Sequence, residues 1–123
     1  MIIGDTFRKY MEEAIGRDNA LVAFSAFDAP ASVSVRLNPF KPSSGMEGEP
    51  VSWAEHGRVL SSRPVFTLDP LFHAGAYYVQ DSSSMFVGHA FRKLLADIRK
   101  PEDRPLRVLD LCAAPGGKTT DLA

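Results

Sequence analysis

The residues whose types and spacing could do chemistry lie in one run, Val108-Leu109-Asp110-Leu111-Cys112-Ala113-Ala114-Pro115-Gly116-Gly117-Lys118-Thr119-Thr120. Leu106, Val108, Leu109 and Leu111 form a short apolar stretch of the kind found in central parallel strands. Asp110 falls near its carboxyl end. The small residues from Cys112 to Gly117 then allow a ligand to approach the backbone closely, and Thr119-Thr120 begins a helix whose first N–H groups are free to meet it. In open α/β sheets ligands bind outside the carboxyl ends of the strands. The layout is that of a nucleotide-type cofactor site.

Four readings of this turn are open on spacing alone. Gly117-Lys118-Thr119 suggests a phosphate-binding P-loop, but that motif needs a glycine five positions before Gly117, where this chain has Cys112. A dinucleotide fingerprint needs G-x-G-x-x-G, and only the adjacent pair Gly116-Gly117 is present. An S-adenosylmethionine site has an acidic residue followed by alternating small positions, which Asp110, Cys112, Ala114 and Gly116 supply with two replacements of glycine. The fourth reading is an ordinary strand-to-helix turn with no ligand. Asp110 is expected to order the turn by hydrogen bonding to backbone N–H groups rather than to act as a base. Lys118 is either a solvent-facing lysine or a partner for an anionic group of cofactor or RNA.

The elements that must position this turn are legible from hydrophobic period. Phe7, Tyr10, Met11, Ala14 and Ile15 make one face of a helix, with Asp5 as N-cap and Gly16 as stop. A second short helix is expected from Asn19 to Phe27, ended before Pro30. From Ser32 the period becomes two, with Val33, Val35 and Leu37 alternating against Ser34 and Arg36 as in a strand with one buried face. Asn38 to Pro50 is expected to be a loop. Val51 and Trp53, Val59 and Leu60, and Val65, Phe66 and Leu68 are expected as strand pieces separated by turns at His56-Gly57 and Arg63-Pro64. Asp81 to Ser84 offer N-caps for a helix over 82–98 whose apolar face is Val87, Ala90, Phe91, Leu94, Leu95 and Ile98. Gln80 and Asp81 either start that helix or help shape the cofactor pocket. Lys100 to Pro105 reads as a polar linker into a strand over 106–111. The expected fold class is α/β: an N-terminal α+β domain over 1–80, a connecting helix and linker over 81–105, and over 106–123 the first strand and turn of a truncated Rossmann-like domain.

Composition bounds the rest. The chain has 123 residues, 45% hydrophobic and 24% charged, as expected of a globular protein. It contains no apolar run long enough to span a bilayer and no signal-like start, so no membrane partner is expected and a cytoplasmic location is. Cys112 is the only cysteine, and His56, His73 and His89 make no metal-ligand spacing with it, so no metal is expected. A net charge of -1 gives no global attraction to nucleic acid. RNA contact would have to be local, through Arg36, Asn38 and Lys41, through Arg92, Lys93, Arg99, Lys100 and Arg104, and through aromatics such as Phe40 and Trp53.

The string D-L-C-A-A-P-G-G-K-T-T resembles motif I of the RNA cytosine-5 methyltransferases of the Nop/Sun type. Upstream, Val35-Arg36-Leu37-Asn38-Pro39 resembles that family's R-x-N segment. The run from Gly75 to Met85, G-A-Y-Y-V-Q-D-S-S-S-M, resembles its G-x-Y-x-Q-D-x-S-S-M segment. The resemblance covers roughly 30–123 and implies a Rossmann-like RNA methyltransferase, ribosomal RNA being its expected substrate. It also implies that S-adenosylmethionine is bound through Cys112, Ala113, Ala114, Pro115, Gly116, Gly117 and Lys118. In the family a cysteine thiolate adds to carbon 6 of cytosine, which makes carbon 5 nucleophilic toward the methyl group, and a second cysteine assists product release. Those cysteines belong to Pro-Cys and Thr-Cys segments, neither of which occurs in these 123 residues. Cys112, at a cofactor-side glycine position, is not expected to be the nucleophile, so no catalytic residue is assigned here. The chain is accordingly expected to be the inactive front part of an enzyme, with 106–123 poorly packed and weak in cofactor binding by themselves. The alternatives are a non-catalytic RNA-binding module and a methyltransferase for another substrate.

Overall fold

The structure is a computed structural model that describes residues 3–42, 46–98 and 105–123. These fall into two compact units, 1–31 and 32–123. All of the expected linker Lys100–Pro105 except Pro105, and with it the basic residues Arg99, Lys100 and Arg104, lie outside the described residues, as do 43–45 of the loop.

The first unit is a pair of helices, α1 (Asp5–Ile15) and α2 (Arg17–Ala26). Gly16 alone joins them, at φ 81°, a conformation that glycine adopts without strain. Its N–H closes α1 on the Glu12 carbonyl at 3.0 Å, while its own carbonyl accepts from Ala20 at 3.0 Å to open α2. Asp5 is not the N-cap. Gly4 occupies that position, because its carbonyl already accepts the Arg8 N–H at 3.1 Å and draws Asp5 into the first turn. There its carboxylate favours the helix dipole. Phe7 meets Phe27 at 6.3 Å between ring centroids, and the Arg8 guanidinium lies 5.0 Å above the Phe24 ring.

The second unit is a small α+β arrangement around a four-stranded antiparallel sheet of order β2-β3-β1-β4. The strands are β1 (Val33–Leu37), β2 (Glu49–Val51), β3 (Ala54–Leu60) and β4 (Tyr77–Val79). Alternation along β1 sends Val33, Val35 and Leu37 to one face, where Val35 packs with Phe66, Ala76 and Tyr77. The second face carries Ser34 and Arg36, and it too is covered: helix α4 (Ser82–Asp97) lies on β3 and β1, with Met85 fully buried against Val51 and Ala54. Ser34, only 3% exposed, donates its hydroxyl to the Gln80 carbonyl at 2.7 Å.

Several local expectations are corrected by this packing. His56-Gly57 is not a turn but the middle of β3, with Gly57 paired opposite Arg36. A Cβ there would stand 2.8 Å from the Val51 Cβ and 2.9 Å from the Met85 sulfur, so glycine marks the close approach of α4 rather than a chain reversal. The reversal is instead Ser52-Trp53, between the paired Val51 and Ala54, and the Trp53 indole N–H is satisfied by the Ser82 carbonyl at 2.7 Å. Phe66–Leu68 is a 3₁₀ turn rather than a strand, and short helix α3 (Pro70–His73) follows, capped by Asp69, whose side chain accepts from the Leu71 N–H. Residues 106–111 form no strand. The only sheet among the described residues is antiparallel and does not include them, so their backbone has no ladder to join. The truncated Rossmann-like portion of the expected fold is therefore not seen, whereas the α+β portion is.

A candidate cofactor turn and the arginine beneath it

Asp110 organises the turn that follows it. Its Oδ1 accepts the Cys112 N–H at 2.8 Å and its Oδ2 accepts the Thr119 hydroxyl at 2.7 Å, so one carboxylate spans both ends of the Cys112–Lys118 segment. The Thr119 and Cys112 bonds, in that order, hold the carboxyl below its ordinary value, keeping the aspartate an acceptor rather than a base. Helix α5 (Thr119–Leu122) then begins, with the Thr120 N–H bonded to the Gly116 carbonyl at 2.9 Å. Gly116 has φ 108°, and a Cβ there would meet nothing within 4 Å, so its outward side is open. Cys112, Ala113, Ala114, Pro115 and Lys118 are likewise exposed. The thiol of Cys112 is free and solvent-facing, not packed as a small apolar side chain.

The inward side of the turn is occupied by the sheet. At Gly117 a Cβ would lie 3.1 Å from Cε1 of Tyr78 and 3.6 Å from the Gln80 amide, so this glycine lets the backbone rest on the sheet. Tyr78 donates its hydroxyl to the Pro115 carbonyl at 3.2 Å. Beside Tyr78 in the sheet stands Arg36. Its guanidinium donates to Gln80 Oε1 at 2.9 Å, the Thr120 carbonyl at 3.1 Å, the Gly117 carbonyl at 3.2 Å and the Thr120 hydroxyl at 2.5 Å. Burial draws this guanidinium below its ordinary value, and the Asp121 carboxylate 4.0 Å away opposes that shift. Asp121 is 7% exposed and also meets Arg92 at 3.3 Å.

Of Arg36, Asn38 and Lys41, which the sequence places within reach of RNA phosphate, the structure engages Arg36 and Asn38 within the protein, while Lys41 stays exposed with one bond to a backbone carbonyl. Asn38 donates to the Gly75 carbonyl at 2.9 Å and Lys41 to the Ala74 carbonyl at 2.5 Å, together clamping a turn in which Gly75 has φ 71°. Phe40, by contrast, is 91% exposed. Tyr78, Thr120 and Asp121 gain their roles from contacts made over 29 to 85 positions, of which local sequence has no sign, whereas Gln80 lies where the sequence already pointed to a residue that could shape the pocket. Among the described residues no helix is long and apolar enough to cross a membrane, and no group of three or more metal-ligating side chains stands together.

Residues 3–82 match the family described as the N-terminal domain of 16S rRNA methyltransferase RsmF. Across 97% of the chain it is 30% identical to ribosomal RNA small subunit methyltransferase F of Pectobacterium atrosepticum, of which the match covers 25%. The counterpart from Shewanella denitrificans is 31% identical over 98% of the chain and 26% of the relative, and that from Salmonella paratyphi B is 32% identical over 97% and 26%. The chain thus spans about a quarter of the length of the curated relatives it matches. The Nop/Sun resemblance holds, and the chain belongs to the RsmF family of ribosomal RNA methyltransferases.

Proposed function

We propose that the chain is the N-terminal part of an S-adenosylmethionine-dependent enzyme, acting in the cytoplasm, that methylates carbon 5 of a cytosine in ribosomal RNA. In this reading residues 1–80 help seat structured RNA, 81–105 connect, and 106–123 begin a Rossmann-like cofactor domain. The observation that carries it is the Asp110 turn. One carboxylate fixes both ends of a loop whose outward face is small side chains and backbone, with Gly116 open on the side where any other residue would carry a Cβ.

The residues present fit the cofactor. Cys112, Ala113, Ala114, Pro115, Gly116 and Gly117 would hold it by close backbone approach, and the exposed Lys118 ammonium would meet its carboxylate. When bound, the group supplies a methyl on a positively charged sulfur. This chain's own residues bind and orient: Asp110 sets the loop, Tyr78 and Gly117 set its height above the sheet, and Lys118 adds charge. No proton transfer is assigned to any of them, because Asp110 is already committed as an acceptor on both oxygens. The thiol chemistry at carbon 6 belongs to residues outside these 123. With Arg36 and Asn38 engaged within the protein, the exposed Phe40 ring and the exposed Lys41 and Lys93 are the better candidates for touching RNA.

The test is methyl transfer from tritiated S-adenosylmethionine to 16S rRNA by the full-length protein, with nucleoside analysis of the product. Label in 5-methylcytidine is expected, with none from the 123-residue chain alone. Label in another nucleoside would contradict the cytosine assignment.

A further inference from the structure

Alternation along β1 would ordinarily send Arg36 to solvent, but the second face of this sheet is covered, and the side chain is only 12% exposed. A guanidinium removed from water has to find acceptors. Arg36 finds them on two separate stretches of chain: Gln80, at the end of β4, and the backbone of Gly117 and Thr120 in the candidate cofactor turn, the last also through its hydroxyl. The fixed fork of the guanidinium is what allows one side chain to span these acceptors, and a lysine ammonium at the same place would act as a single point charge. Another cation near the turn, Arg92, is half exposed and bonds to Asp121, so solvent weakens its contribution.

We infer that Arg36 is a positioning residue for the cofactor turn: from β1 it fixes the backbone of Gly117–Thr120, which makes the N-terminal sheet and the cofactor loop one mechanical unit. The assignment replaces the RNA-phosphate role that its type and strand position suggest. Its consequence for cofactor affinity rests on the function proposed above, whereas its consequence for the turn does not. Two neighbouring atoms agree with a site governed by geometry rather than by maximal pairing. Gln80 Nε2 and Asp121 Oδ2 are buried without a hydrogen-bond partner, the first left over when Gln80 presents its oxygen to Arg36.

The test uses the full-length protein and its Arg36→Lys, Arg36→Ala and Thr120→Val variants, with three readouts. Amide hydrogen exchange at Thr120, Asp121 and Leu122 should accelerate about tenfold in Arg36→Ala, with the β1–β3 ladder unchanged, because loss of one buried anchor opens the turn locally. The dissociation constant for S-adenosylmethionine should rise by about the same factor, while affinity for 16S rRNA stays within about twofold. Arg36→Lys should fall between wild type and alanine, and Thr120→Val, which removes one acceptor of Arg36 together with the hydroxyl's own bond to the Gly116 carbonyl, should shift the same way. Should Arg36→Ala fail to fold, Arg36→Lys decides the matter on the same readouts. Unchanged exchange at 120–122 in the variants that fold, or a loss of RNA affinity with cofactor affinity intact, would overturn the inference. If the wild type binds no S-adenosylmethionine, the proposed function fails, and the exchange readout still decides whether Arg36 holds the turn.

Discussion

Val35 in the sheet and Met85 on the helix α4 that covers it are completely buried, whereas Leu109 and Leu111, equally apolar and less than 30 residues from Met85, stand 81% and 86% exposed. The sheet with α4 is held by side chains removed from water, each worth about 1.5–3 kcal/mol on full burial. The 110–122 segment is held by directional contacts from Asp110, Tyr78, Arg36 and Arg92, each worth about 1 kcal/mol net. The first region therefore fails on changes of volume and on polar groups left without a partner. The second tolerates apolar substitution and fails when one donor is moved.

Volume changes in the sheet should give the largest effects. Met85→Ala is expected to cost about 3 kcal/mol, read by urea unfolding, since it empties a fully buried site between α4 and β3. Gly57→Ala should cost about 2 kcal/mol by the opposite route, overpacking against Val51 and Met85. If either variant is as stable as wild type, the close approach of α4 to the sheet is wrong.

At the junction, a Cβ on Gly88 would collide with the Asp121 carboxylate, with Cγ only 2.7 Å away. Gly88→Ala should lower global stability by about 1 kcal/mol or less, because the carboxylate can swing away, but it should raise amide exchange in α5 while β1–β3 stays protected. Equal loosening of both regions would remove the distinction drawn between them.

Tyr77→Phe tests a polar contact inside the buried region. Burial, with a 2.6 Å bond from its hydroxyl to Asp69, pushes the Tyr77 phenol up to about 12 from 10.0. The folded state thus keeps a proton that the unfolded chain releases near pH 10. Stability from this group is complete below pH 10 and is lost as pH rises toward 12. Tyr77→Phe should cost about 1 kcal/mol at neutral pH and abolish that alkaline slope. The smallest effect is expected from Leu109→Ser with Leu111→Ser, within about 0.5 kcal/mol in the 123-residue chain. In the full-length protein the same pair should cost several-fold more if these residues become a covered strand, and an unchanged cost there would break the Rossmann-like reading of 106–111.

What sequence could and could not show follows the range of the interactions. β1 is legible because strict alternation from Val33 to Leu37 is written within the strand, and α4 is legible as a helix from its helical period, but the face it buries is that of Met85 and Gly88, while Val87, Leu94 and Ile98 of the expected stripe stand exposed. The Asp110 turn is legible because its first partner, Cys112, is two residues away. Gly57 misleads because the reason for a glycine lies in Met85, distant in sequence, and local rules read glycine as a turn. Tyr77–Val79 stands out as part of a motif rather than as a strand because three residues carry too little period to declare themselves. Arg36 misleads most: an arginine on the polar phase of a strand looks solvent-facing until α4 covers that face and its acceptors, 81 to 84 positions away, are in place.

The segment from Cys112 to Lys118, fixed by Asp110 and seated on the sheet, is the proposed seat of S-adenosylmethionine. Amide hydrogen exchange of the full-length protein with and without S-adenosylmethionine addresses it directly. Protection that rises in the 112–118 segment on cofactor addition, and is lost in Asp110→Ala, is the predicted result. Protection by cofactor elsewhere in the protein, with 112–118 unchanged, would contradict it.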